Sequence, residues 1–228
     1  MSWPAPIDHT FILCDPKREP DRANYLQTWL SANSIPPTAY TMGLHCYKDD
    51  ITPEIAERVY NPWIERGEDS KNFNRYNLKQ GEISLVLNWA EAAKTAVAKN
   101  YNVVMMLESD VLFDNQFLQK LQTVITPIQH DPWHFLSISG RHDLRPKRTD
   151  DGTTFRWFRV TGTLHTRTTD AMIFRVPMLK QILSTLFPFA EVLDWELNHQ
   201  LSVHKSITLW LDPPIIRQGS GAEYSTTL

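Results

Sequence analysis

Glu108-Ser109-Asp110 closes a continuous apolar run, Asn102-Val-Val-Met-Met-Leu107, and so sets two carboxylates at the end of what reads as a buried central strand. At i and i+2 of an extended chain the two side chains face the same crevice. Ligands of open α/β sheets sit beyond the carboxyl ends of the strands. Hard carboxylate oxygens in that place suit Mg²⁺ or Mn²⁺. Such an ion bridges the two phosphates of a nucleotide and takes up charge on a departing diphosphate. An acidic strand end that only meets solvent has the same composition, so the pattern alone leaves both readings open.

A second carboxylate pair, Asp194-Trp-Glu196, stands at the start of a helical pattern. A hydroxyl that attacks a sugar needs a base to take its proton, and either Asp194 or Glu196 is a candidate. Both types also suit helix capping, where acidic residues in the first turn are stabilising. The third candidate follows the first apolar run: Cys14 and Asp15, then Arg18 and Arg22. Guanidinium groups there can meet a diphosphate, and the backbone can meet a base; solvated surface charge is the competing reading. Arg141, Arg145, Lys147 and Arg148 make a basic loop, read either as a lid over phosphate or as plain exposed chain. His165, His199 and His204 lack a tight ligand spacing and read as structural. Phe155, Trp157 and Phe158 pack either a sugar face or the core.

The elements that must position these groups alternate. Thr10 to Cys14 reads as a first strand and Asp21 to Ser31 as a helix with Asp21 as its N-cap. Residues 43–80 mix aromatics, prolines and charge and read as a long connection with a short helix near Pro53 to Tyr60. Glu82 to Lys99 carries Ile83, Val86, Ala90, Ala93 and Val97 on one stripe, the clearest helix of the chain. Helices are also expected over Phe117 to Ile125, Pro177 to Leu186 and Asp194 to His204, and strands over His134 to Ser139, Ala171 to Arg175 and Ile207 to Leu211, with β character from Thr153 to Thr163. Alternation of this kind predicts an α/β domain with a mainly parallel sheet. The expected domain spans 1–216, with a polar tail over 217–228.

The totals narrow the partners. At 42% hydrophobic residues the 228-residue chain can bury a substantial core, and its formal charge of −3 argues against a general nucleic-acid binder. Two cysteines, Cys14 and Cys46, without a C-x-x-C pair argue against a disulfide framework or a structural zinc site. The first residues show no basic stretch followed by an apolar run, and no segment nears the roughly 20 apolar residues of a membrane span. The expectation is a soluble, cytoplasmic protein with no membrane span and no nucleic-acid partner.

These signals fall in a familiar order. Leu78-Lys-Gln-Gly-Glu82-Ile-Ser-Leu-Val-Leu-Asn88-Trp89 resembles the P-G-E-I-G-C-A-L-S-H segment of glycosyltransferase family 25, and Met105-Met-Leu-Glu108-Ser-Asp110-Val-Leu-Phe113 resembles its I-L-E-D-D-V metal segment. The first strand with Arg18 and Arg22, the Thr169 to Arg175 strand, Asp194-Trp-Glu196 and Pro213 to Gln218 follow in the family's order. The resemblance implies a GT-A fold (Rossmann-like, nucleotide-sugar-binding), a UDP-sugar donor, Mn²⁺ or Mg²⁺, a glycan or glycoprotein acceptor and inversion at the anomeric carbon. It implies that Glu108 and Asp110 handle the metal, that Ser109 lies beside the donor, that Lys79 and Glu82 lie near it too, and that Asp194 or Glu196 is the base. Ser109 stands where the family has an acid, and Asn88-Trp89 where it has Ser-His. Two alternatives compete: a degenerate fold that binds glycans or a partner without turnover, and a nucleotidyltransferase. The latter normally has a Gly-rich loop after the first strand, where this chain has Asp15-Pro-Lys-Arg-Glu-Pro-Asp.

Overall fold

The computed structural model describes residues 2–64, 78–140, 146 and 153–219. Its centre is a seven-stranded sheet, and the run that ends in Glu108 is its middle strand but one. In chain order the strands are β1 (His9–Leu13), β2 (Tyr40–Met42), β3 (Val103–Glu108), β5 (Phe135–Ser137), β6 (Arg156–Arg159), β7 (Ala171–Arg175) and β8 (Thr208–Asp212), with β4 (Val111–Leu112) and β9 (Arg217–Gln218) forming a separate two-stranded ladder. The spatial order is β2-β1-β3-β7-β5-β8-β6. The pairings make five of the seven strands run one way, with β7 and β6 opposed. The mainly parallel α/β sheet predicted from alternation is therefore the one observed.

Helices cover both faces, which is why the strands are apolar throughout rather than alternating. Val103, Met105 and Leu107 of β3 face a core shared with α1 (Pro20–Ala32) and α4 (Phe117–Ile125), where Trp29, Leu30 and Phe117 are buried. Val104 and Met106 face the other core, shared with α3 (Gln80–Ala98), α5 (Val176–Leu183) and α6 (Leu193–Val203). Each such fully buried side chain contributes about 1.5–3 kcal/mol relative to exposure. The short helix expected after residue 52 is α2 (Pro53–Val59), capped by the Thr52 hydroxyl, which accepts from the Ile55 N–H at 3.3 Å.

Two local expectations are corrected. The first helix begins at Pro20 with Glu19 as its N-cap, so Asp21 lies in the first turn instead of capping it; proline suits the first helical position because its missing N–H has no partner there anyway. The β character from Thr153 to Thr163 condenses to β6, an edge strand. The chain also stays in the fold beyond 216: Arg217–Gln218 pairs with Val111–Leu112, and the Gly219 N–H donates to the Asp110 carbonyl at 2.7 Å.

Candidate active site

The antiparallel placement of β7 builds the centre of the site. Its first residues run back past the end of β3, so the Glu108 N–H donates to the Asp170 carbonyl at 2.9 Å. The Thr169 hydroxyl then donates to Glu108 Oε1 at 2.5 Å. Burial, with the nearby carboxylates of Asp194, Asp110 and Asp170 adding to it and the Thr169 bond opposing it, pushes the Glu108 carboxyl up to about 8. Asp170 is only 1% exposed, and burial raises its carboxyl to about 6 against the opposing Thr168 and Ser139 hydroxyls. Asp110 is raised as well, chiefly by burial and against the Gln218 bond and the Arg22 charge.

Two hollows meet at this point, with Glu108 and Leu85 in the wall between them. The first, about 360 Å³, opens at the carboxyl ends of β1 and β3 and is closed on one side by the first turns of α3. That volume suits a small-molecule site. Asp15, Arg18, Glu19, Arg22 and Lys48 rim it beside Ser109 and Asp110. Its charges are braced: Arg18 pairs with Asp15 at 3.5 Å and with Asp49, and Arg22 pairs with Glu19. Ser109, at the position where an acid is expected, serves this bracing. Its hydroxyl donates to Glu19 Oε1 at 3.0 Å and accepts from Arg22 Nη1 at 3.0 Å. The Asp15 carboxylate turns inward to its own loop, accepting from the Lys17 N–H at 3.1 Å.

The second hollow, about 230 Å³, lies between the start of β7 and the start of α6 and takes in Arg167, Thr168, Asp170, Asp194 and Gln218. It separates the two base candidates. Asp194 is half-buried and lines the hollow. Glu196 is fully buried, accepting from the Ala190 N–H at 3.1 Å and from Gln200 Nε2 at 3.0 Å. It holds the chain into α6 and lines neither hollow, so of the two base candidates Asp194 is the one at a hollow.

Three other expected residues lie elsewhere. The Cys14 side chain is fully buried, with burial raising its thiol to about 12, and it belongs to the core rather than to the cleft wall. Lys79 and Glu82 stand at the start of α3, where the Lys79 N–H donates to Glu82 Oε2 at 2.6 Å. Glu82 therefore starts the helix; its neighbours Gly81, Ser84, Leu85 and Asn88 reach the hollow. Arg141, Arg145, Lys147 and Arg148 lie outside the described residues. His165 and His204 hold threonine hydroxyls, of Thr208 and Thr185, each at 2.8 Å. Phe155 and Trp157 pack on the core, and the Trp157 indole donates to the Val124 carbonyl at 2.8 Å.

Sequence reasoning missed Thr169, Asp170, Arg167 and Gln218. Their signal was present in Arg167-Thr-Thr-Asp170, four polar residues directly before an apolar strand, the mirror image of the Glu108-Ser-Asp110 ending. It also missed two clamps. Asn88 Oδ1 accepts from the His45 and Cys46 N–H groups at 2.6 and 2.9 Å, fixing the rim of the first hollow. Asn198 Oδ1 accepts from the His165 and Thr166 N–H groups at 2.5 and 2.8 Å, fixing the segment that leads into the second. An asparagine on a buried helix face was the available clue.

Among the described residues, no three His, Cys, Asp or Glu side chains converge on one metal position, and no helix is long and apolar enough to cross a membrane. No protein-family model matches the chain, and no curated protein matches it. Among solved structures it is similar to a glycosyltransferase involved in the glycosylation of the major capsid of PBCV-1, at 9% identity and a TM-score of 0.47, over 96% of each chain. It is also similar to A197 from STIV, at 15% identity and a TM-score of 0.38, over 91% of this chain and 83% of that one.

Proposed function

We propose that the chain is a metal-dependent glycosyltransferase of GT-A type that moves a sugar from a UDP-sugar to a hydroxyl of a glycan or glycoprotein. One observation carries the reading: a cation-rimmed hollow at the strand ends and a second, acidic hollow share a wall at Glu108, so a donor and an acceptor can meet there. Membership of glycosyltransferase family 25, and inversion with it, rest on the resemblance of 78–89 and 105–113.

The residues fit a divalent cation. Asp110 Oδ1 is buried and meets no hydrogen-bond donor among the described residues, while Gln218 Nε2 holds Oδ2 at 3.0 Å. Mg²⁺ and Mn²⁺ sites of this kind use one or two carboxylates and complete the shell with substrate phosphates and water, so a protein triad is not needed. Asp110 and Glu108 would hold the ion, which supplies charge neutralisation for the leaving diphosphate.

The chain's own residues do the rest. Arg18, Arg22 and Lys48 rim the hollow where the diphosphate lies, and the first turn of α3 presents its positive end there. Thr169 fixes the Glu108 carboxyl. Asp194, across the shared wall, takes the proton of the attacking acceptor hydroxyl as the bond to the anomeric carbon forms and the bond to UDP breaks.

Incubation with a panel of nucleotide sugars, with and without Mn²⁺, tests this. The expected result is metal-dependent release of UDP from one donor, abolished in Asp110→Ala. Release of no nucleotide, with no thermal shift from UDP plus Mn²⁺, would leave the non-catalytic binding reading in its place.

A further inference from the structure

We infer that Asp49 stands in for the donor's diphosphate: its carboxylate occupies the Arg18 guanidinium, and a diphosphate entering the first hollow takes that place while Asp49 turns out into water. The inference rests on the reading that a nucleotide donor lies in the first hollow, and adds to it a residue that sets how tightly the diphosphate is held.

Arg18 lines the first hollow, whereas Asp49 does not. The two meet between the loop after β1 and the short helical turn Lys48–Asp50. Arg18 is also held from its own loop, where its Nε lies 3.5 Å from Asp15 Oδ2. A guanidinium offers five N–H groups in a planar fork and takes phosphate oxygens in pairs. With one acid at Nε and another at Nη2, carboxylates occupy this fork before any ligand arrives.

The acids around the rim differ in what else they hold. Asp15 is buried, and its Oδ1 accepts from the Lys17 and Arg18 N–H groups at 3.1 and 3.4 Å. Glu19 accepts from Arg22 and from the Ser109 hydroxyl through Oε1, and from the Asp15 N–H at 3.3 Å through Oε2. Asp50, next along the turn, accepts from the Tyr47 N–H at 2.8 Å. Each of these would leave a backbone N–H behind if it moved. Asp49 holds no such group: its partner among the described residues is Arg18, and its side chain is 66% exposed.

A solvated carboxylate in a single ion pair leaves at little cost, because exposed pairs contribute little. A diphosphate brings more charge and more acceptor oxygens to the same fork. The turn itself need not move. Gln80 Nε2 anchors it from α3 by donating to the Ile51 carbonyl at 2.9 Å, and Lys17 Nζ lies 5.7 Å from the centre of the Tyr47 ring. The exchange is the rotation of one side chain, and Lys48 keeps its place on the rim.

The test is calorimetric titration of the full chain with UDP plus Mg²⁺, inorganic pyrophosphate plus Mg²⁺, and uridine. Asp49→Asn frees Arg18 and is expected to tighten binding of UDP and pyrophosphate up to about fivefold, the scale of an exposed ion pair. Uridine, which has no phosphate, is expected to respond equally little to both proteins. The gain should shrink at about 300 mM salt, where exposed charges are screened. Arg18→Ala is expected to weaken UDP binding, and Asp49→Asn added to it should give no gain, because the two changes act on one pair. UDP binding that is unchanged or weaker in Asp49→Asn, the same gain in the Arg18→Ala background, or the same gain for uridine would each overturn the inference. A wild type that binds no UDP would fail the donor reading itself, and the inference with it, so the two failures are told apart.

Discussion

The two hollows share a wall but balance charge in opposite ways. The first interleaves its acids with Arg18, Arg22 and Lys48, and Ser109 ties Glu19 and Arg22 together across 87 to 90 residues of chain. Among the described residues, the second gathers Glu108, Asp170 and Asp194 around one buried arginine. Under the proposed transfer reaction, the difference assigns a half of the reaction to each hollow. A doubly charged diphosphate needs cations at its rim, whereas a hydroxyl about to lose a proton needs an acceptor for it. Glu108 belongs to both sides, and its carboxyl is raised chiefly by burial, with the neighbouring carboxylates of Asp194, Asp110 and Asp170 adding to it.

The strongest way to break the comparison is to remove one acid from each side. Asp194→Ala is expected to cut transfer about 10²–10⁴-fold, the usual cost of losing a general base, with UDP affinity unchanged. Asp110→Ala is expected to remove metal-dependent UDP binding itself. If both variants lose UDP affinity equally in a titration, the two hollows do not divide donor from acceptor. Glu196→Ala gives the contrast. It leaves the Ala190 N–H and the Gln200 amide without their buried partner, at a cost of about 1–3 kcal/mol. Its melting temperature should fall by about 2–4 °C per kcal/mol, with activity per folded molecule kept.

A smaller effect is expected where the C-terminal strand meets the first hollow. Gln218 holds Asp110 Oδ2 and thereby orients Oδ1. Gln218→Ala should weaken Mn²⁺-dependent UDP binding about tenfold, at the low end of what outer contacts to a metal ligand contribute. An unchanged metal titration would show that the strand only covers the site.

Most of the framework was legible because its elements are strongly patterned. The β3 run and the α3 stripe follow from burial on both faces and on one face, and both lie within two residues of their expected limits. The strand end at Glu108 was legible for the same reason. What the sequence hid was long-range. Nothing local says that β7 lies antiparallel beside β3, yet that pairing brings Thr169 and Asp170 to Glu108. Gln218 was hidden because two-residue strands such as β9 carry no periodicity. Lys79, Glu82 and Glu196 show the converse ambiguity. Acidic residues also serve structure: Glu82 accepts from the Lys79 N–H at the start of α3, and Glu196 holds the Ala190 N–H and the Gln200 amide.

The smallest expected effect tests the Glu108 carboxyl directly. Its carboxyl rises from an ordinary 4.5 to about 8, mainly by burial. The folded state therefore holds the proton more tightly than the unfolded chain. The stability this gives is complete below about pH 4.5 and is lost as pH rises through about 8. Glu108→Gln keeps an oxygen for the Thr169 hydroxyl and removes the charge that the neighbouring carboxylates oppose. In EDTA, the wild type should melt lower at pH 9 than at pH 6 relative to the variant, by a few degrees at about 2–4 °C per kcal/mol. The variant should also lose metal-dependent UDP release, so the same carboxylate that lowers stability at high pH would be the one that function requires. Parallel melting curves for the two proteins from pH 6 to 9 would mean that Glu108 ionises in the folded protein without penalty.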